Sequence, residues 1–337
     1  MTESSRHSDA AIVWTAFGYF ACYAPYSALT KAVSRGLLPG MRGGVDGMAL
    51  LPVTAVASLL AMLAFMLLSG WWRYATRYPI AGRSVPGPTR LTLASGLATA
   101  MIIATTTLAY TFTGTSIVFM MLLMRGGVLV LAPLADWVGR RPVRAASWVA
   151  LGLSLAALLV AFSGDQGLSM GWGAALDVLL YLGAYFFRLR WMSSQAKSEE
   201  LSSNLRFFVE EQMVATPATV LGLLLGALFT PGASGAALQA GFTGVMTDPL
   251  LLPIGLLIGV LSQGTGVFGA LILLDKRENS FCVPVNRASS ILAGLVAAYT
   301  LSWSLDLAAP GAGELVGAGL VVAAILVLSA SGIQRKK

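Results

Sequence analysis

The sequence predicts an all-α polytopic membrane protein, with ten transmembrane helices arranged as two inverted five-helix repeats around a central cavity. Three observations carry that expectation: too few charges to cover a soluble surface, apolar runs of membrane-spanning length, and polar residues that recur at one fixed offset. Of 337 residues 56% are hydrophobic and 11% are charged, with a mean hydropathy of +0.77. A soluble domain carries about a quarter charged residues. Alternation of polar and apolar residues over runs of about ten, the signature of an outer-membrane barrel, is absent from the sequence.

Runs able to cross ~30 Å of hydrocarbon fall near residues 10–33, 47–70, 91–112, 116–135, 145–162, 172–191, 207–229, 249–272, 281–302 and 314–331. The first contains Pro25 and the ninth opens with Pro284, which suits a first helical turn and, three residues before Arg287, also suits a hinge. The third carries Thr105, Thr106 and Thr107, and the eighth carries Gln263 and Thr265, all donors able to join a cavity wall. Gly222, Gly226, Gly255, Gly259, Gly264, Gly266 and Gly269 suit close helix crossings.

Lysines and arginines set the orientation, because cytoplasmic loops carry the excess. Arg73, Arg77, Arg83 and Arg90 lie between spans two and three, and Arg140, Arg141 and Arg144 between four and five. Arg188, Arg190, Lys197 and Arg206 surround the six-seven connection, Lys276 and Arg277 join eight to nine, and Arg335, Lys336 and Lys337 end the chain. The alternate loops, near residues 113–115, 163–171, 230–248 and 303–313, have none. Both termini are therefore expected in the cytoplasm. Lys31, Arg35 and Arg42 dissent, as tolerated exceptions or as a basic outer vestibule that concentrates anions. The net charge of +7 is thus a topology signal, and no nucleic-acid partner is implied. The polar stretch Met1–Ala10 lacks the pattern of a signal peptide. Cys22 and Cys282 are expected near opposite membrane faces, too far apart for a disulfide, and the lone His7 leaves no metal cluster or cofactor site to propose.

Two arginines lie inside apolar spans in matching surroundings, Leu123-Met124-Arg125-Gly126-Gly127 and Val285-Asn286-Arg287-Ala288-Ser289. Applied to the first span, their offset pairs Thr15 with Asp177, Tyr19 with Tyr181, Tyr23 with Tyr185 and Tyr26 with Arg188. One ungapped shift aligning separate helices indicates an internal repeat, 1–162 and 163–337, in which the stretch 163–206 leads through the cytoplasmic six-seven loop into the second copy. Five spans per copy invert the second relative to the first, which places a substrate site near the midplane between them.

This pattern resembles the drug/metabolite transporter superfamily, which includes EamA-like exporters, nucleotide-sugar transporters and triose-phosphate translocators. The resemblance rests on the ten spans, the short turn Thr113-Gly114-Thr115 leading into Ser116–Met120, and the basic turn Gly139-Arg140-Arg141-Pro142. It implies that spans one, three, four, six, eight and nine line the cavity, that basic residues there hold anionic substrates, and that the setting is a bacterial inner membrane. Carried onto this chain, it singles out Arg125 and Arg287.

A mid-bilayer arginine costs roughly 2.5–3.5 kcal/mol, so Arg125 and Arg287 are expected to face a wet, anion-accepting cavity. Tyr19 and Tyr23, Tyr181 and Tyr185, with Gln263 and Asn286, are expected to complete the binding site. Asp177, Glu210 and Glu211 are candidates for proton coupling, the two glutamates alternatively pairing with Arg206 at headgroup level. The expected activity is secondary transport of a small phosphate- or carboxylate-bearing metabolite, possible as exchange. The alternatives are export of amino acids or drugs, or flipping of a phosphorylated lipid carrier. An enzyme would need a nucleophile, base or metal constellation at membrane depth, and the sequence offers none.

Overall fold

The computed structural model describes residues 3–80, 82–131, 145–163, 170–195, 201–273 and 279–333. Asp136, the basic residues at 140, 141, 144, 197, 276, 277 and 335–337, and the side chains of His7, Cys282 and Pro284 lie outside what is described. The chain runs as helices α1 (Glu3–Arg35) and α2 (Gly47–Ser69), strands β1 (Arg77–Ile80) and β2 (Arg83–Pro86), then α3 (Arg90–Ala109) and α4 (Ile117–Met121), which continues through a π turn, Leu122–Gly126. There follow α5 (Ala145–Ser163), α6 (Trp172–Gln195), α7 (Leu201–Phe229), α8 (Gly232–Ala240), α9 (Leu251–Leu273), α10 (Asn279–Leu305) and α11 (Ala312–Ile333). Among the described residues, six stretches are long and apolar enough to cross a membrane: α2, α3, Trp172–Met192, Ser202–Phe229, α9 and Val285–Leu305. Large apolar side chains such as Leu68 (89% exposed), Phe229 (76%) and Trp303 (93%) face outward. The protein is a mostly helical, membrane-embedded chain.

Two compact units form, one from Met1–Ala28, Gly114–Val178 and Gly264–Lys337, the other from Leu29–Thr113 and Leu179–Gln263. Each draws on both halves of the sequence. In the first unit α5 packs along α11, and α10 packs on α11 and α4. Gly294 brings α10 against Met121 of α4, and Gly264 and Gly269 bring α9 against Cys22 and Tyr19 of α1.

In the second unit α7 packs on α2 and most extensively on α3. At Gly96 an added Cβ would lie 2.5 Å from Val214 Cβ and 2.9 Å from the Glu211 carbonyl oxygen, so the α3–α7 crossing requires glycine. Gly255 and Gly259 do the same between α9 and α2, where Ser58 also donates to the Gly259 carbonyl at 2.9 Å. Gly222, by contrast, faces open space. Where apolar burial supplies no drive because lipid is equally apolar, such close approaches and interhelical hydrogen bonds hold the helices.

Helix starts are capped by side chains. The Asp46 carboxylate accepts from Met48 N at 2.8 Å ahead of α2, Thr89 Oγ1 from Thr92 N at 3.3 Å ahead of α3, and Asp248 from Leu250 N and Leu251 N at 2.8 and 2.9 Å ahead of α9. The loop between α2 and α3, read from the sequence only as basic, contains an antiparallel hairpin with Arg77 opposite Pro86 and Ile80 opposite Arg83. Prolines in both strands concealed it.

Candidate functional site

Arg125 sits in the π turn that interrupts α4, a widened turn of the kind often found where a helix presents a functional side chain. All five residues of the turn are buried, and Arg125 itself is 4% exposed. Its Nη2 donates to the Tyr23 hydroxyl, and its guanidinium carbon lies 5.2 Å from the centroid of the same ring. Desolvated contacts of this cation–aromatic kind are worth about 2 kcal/mol. Spacings of three and four residues put Tyr19, Tyr23 and Tyr26 on one face of α1. Their rings form a ladder, with centroids 5.3 Å apart at 31° and then 5.7 Å apart edge to face.

Arg287 is 1% exposed, among the largest of the fully buried side chains in the described residues, and lies in the same compact unit as Arg125. Its neighbour Asn286 donates to the Gly269 carbonyl at 3.5 Å. A Cβ at Gly269 would sit 2.9 Å from the Tyr19 ring and 3.1 Å from Asn286 Nδ2, so α1, α9 and α10 converge there and bring two expected site residues together. Asp177, also in this unit, is 4% exposed, and neither carboxylate oxygen has a hydrogen-bond partner among the described residues. At the start of α4, Ser116 accepts from Phe119 N at 3.0 Å and donates to the buried Glu314 of α11, a pair the sequence reading did not anticipate.

The second compact unit holds the other polar cluster. Glu211 receives a bidentate ion pair from Arg188, Nε to Oε1 at 2.9 Å and Nη2 to Oε2 at 2.7 Å, and a hydrogen bond from Ser95 at 2.5 Å. The parallel fork of guanidinium on carboxylate is the strong geometry for such a pair. Glu210 accepts from Thr76 N and Oγ1 at 3.0 and 2.5 Å on one oxygen, and from Thr89 N and Thr92 Oγ1 at 3.1 and 2.8 Å on the other. Both glutamates are 1% exposed.

The expected Arg206 pairing is therefore replaced: Arg206 is exposed, and the partners come from α6, α3 and the hairpin flanks. Arg188, counted from the sequence among loop charges, is a buried structural cation, 8% exposed. Lys31 is likewise no vestibule charge; it is 4% exposed and its Nζ donates to the Phe112 carbonyl at 2.8 Å. Tyr181 and Tyr185 are buried with centroids 4.8 Å apart, and Gln263 is 5% exposed, all in this second unit. Thr105, Thr106 and Thr107 turn their hydroxyls back onto carbonyls of their own helix, 101 to 103, at 2.6–3.3 Å.

No family model matches this chain, and no curated protein matches it. A crystal structure of another protein superposes on it with a TM-score of 0.52 at 13% sequence identity, over 97% of this chain and 99% of that one. The likeness is one of fold and runs the whole length of both chains.

Proposed function

We propose that the chain is a secondary active transporter of a small phosphate- or carboxylate-bearing metabolite, working by alternating access in the manner of the drug/metabolite transporter superfamily. The observation that carries this reading is the burial of Arg125 and Arg287 in one compact unit of a membrane-embedded chain. A guanidinium forks onto an oxyanion with two parallel bonds, and the expense of keeping two at depth is offset when an anion passes between states there. Tyr23 orients the first guanidinium, and Asn286 adjoins the second.

The architecture proposed with it is ten spans in two inverted fives, both termini cytoplasmic, in a bacterial inner membrane. Three shorter apolar helices, Ile117–Leu131, Trp148–Ala157 and Ala312–Val327, and the long α1 supply spans beyond the six that meet the full length and hydropathy.

A second reading, transport of a zwitterion such as an amino acid, is favoured by Asp177, whose carboxylate has no hydrogen-bond partner among the described residues and suits an ammonium or a coupled proton. Glu210, with four donors, and Glu211, in its ion pair, are occupied structurally.

The test is thermal unfolding of the detergent-solubilised protein with phosphorylated sugars, carboxylates, amino acids and cations, because a ligand of the native state raises the midpoint. Stabilisation by one anion class, abolished in Arg125→Ala and Arg287→Ala, supports the proposal. Stabilisation by cations or apolar drugs alone would sink it.

A further inference from the structure

The segment from Gly70 to Arg90 contains four arginines, Arg73, Arg77, Arg83 and Arg90, and no aspartate or glutamate. All four side chains are exposed. The segment joins two helices that are both long and apolar enough to span a membrane, α2 ending at Ser69 and α3 beginning at Arg90. Strands of four residues reach only ~13 Å at 3.3 Å per residue, so the hairpin stays within the headgroup layer and its immediate surroundings.

The hairpin is also held firmly. Thr76, just before β1, and Thr89, just after β2, donate to the two oxygens of the same Glu210 carboxylate, so both feet of the ribbon are fixed to α7. Gly87 N closes the base on the Thr76 carbonyl at 2.9 Å, and Trp71 packs edge to face on Phe65 and Phe208. A tethered basic element loses little freedom on binding, which favours association. The two faces of the ribbon differ. Because side chains alternate along a strand, the directly paired Tyr78 and Val85, 38% and 39% exposed, share a face with Arg83, while Arg77 points to the other. An apolar pair beside a cation suits the boundary between headgroups and acyl chains.

We propose that this hairpin is a docking element for anionic phospholipid headgroups, with Arg77 and Arg83 as its principal phosphate contacts and Arg73 and Arg90 at its base. Nothing in this depends on what the chain transports. Each basic residue close to an anionic bilayer surface strengthens binding about fivefold, so Arg77 and Arg83 together account for roughly 25-fold.

The experiment titrates phosphatidylglycerol, phosphatidylcholine and, separately, inorganic phosphate into the detergent-solubilised full chain and follows the thermal midpoint. Phosphatidylglycerol is expected to raise the midpoint at lipid concentrations where phosphatidylcholine and inorganic phosphate do not, and strong salt is expected to weaken the effect. In Arg77→Gln/Arg83→Gln the half-saturating phosphatidylglycerol concentration should rise about 25-fold. Arg77→Lys/Arg83→Lys should retain most of the effect, and Arg42→Gln, an exposed arginine in a different loop, should retain all of it. Equal stabilisation by both lipids, reproduction of the effect by inorganic phosphate, or an unchanged response in the double glutamine variant overturns the proposal. An altered hairpin fold is recognised by failure of the lysine variant as well, which also overturns it.

Discussion

Arg125 bonds the hydroxyl of Tyr23 and lies over the face of the same ring, so a single tyrosine on α1 fixes both the edge and the plane of a guanidinium on α4. Removing the hydroxyl separates these two functions. Tyr23→Phe keeps the ring and loses a hydrogen bond to a charged group, for which a cost of roughly 1.5–3 kcal/mol is expected. Thermal or denaturant unfolding in detergent measures it, and a Tyr23→Phe protein as stable as the parent would show that the hydroxyl does not hold the arginine.

The Arg188–Glu211 pair should behave as a unit. Removing either partner leaves a buried charge uncompensated, so Arg188→Ala and Glu211→Ala are each expected to cost about 3–5 kcal/mol. The double variant should cost much less than the sum, because no charge is then stranded. Additive losses in a four-member unfolding cycle would contradict the pairing.

Gly259→Ala tests the α2–α9 crossing. The added methyl would run into the Thr54 carbonyl oxygen and the Ala57 Cβ, and a backbone atom cannot swing away as a side-chain tip can. Overpacking of this kind costs typically 1–3 kcal/mol. Gly222→Ala, facing open space, is the control and should unfold at the parent's midpoint or slightly above.

Asp177→Asn should separate stability from activity. The aspartate is buried with neither oxygen hydrogen-bonded among the described residues, so an uncharged amide of the same shape is expected to leave the unfolding midpoint unchanged or raised by a few degrees. Flux of a stabilising ligand into proteoliposomes should fall at the same time. A marked drop in the midpoint would instead make Asp177 a structural residue.

The membrane character and the main helical runs were legible in the sequence because composition and run length report burial in lipid directly. Arg125, Arg287 and the tyrosine face of α1 stood out for a related reason: polar groups inside apolar runs are anomalies at the level of the string, and three- and four-residue spacing assigns them a face. The partners of Glu210 and Glu211 were not legible. A local rule pointed four residues back to Arg206, whereas the cation that pairs with Glu211 stands on the preceding helix and the hydroxyls come from α3 and the stretch before it. Arg188 was hidden by its position near a helix end, where a basic residue reads as a topology marker. Its shared offset with Tyr26, and its place three residues after Tyr185 on the face of Asp177 and Tyr181, were the sequence signals that pointed inward. The hairpin escaped because strands of four residues containing proline carry almost no propensity signal.

The π turn at Leu122–Gly126 gives α4 the equivalent of a one-residue insertion absorbed without rephasing the helix on either side. Since each residue of an α-helix advances the phase by ~100°, an arginine gained by ordinary lengthening of the helix would have rotated every later side chain away from its neighbours. Confining the extra residue to one widened turn avoids that rotation, and at the entry to the turn Met121 lies against Gly294 on α10 and Leu122 against Gly317 on α11. Deleting a single residue within the turn should therefore restore a continuous helix with its packing faces preserved, and remove only the local geometry that delivers the guanidinium to Tyr23.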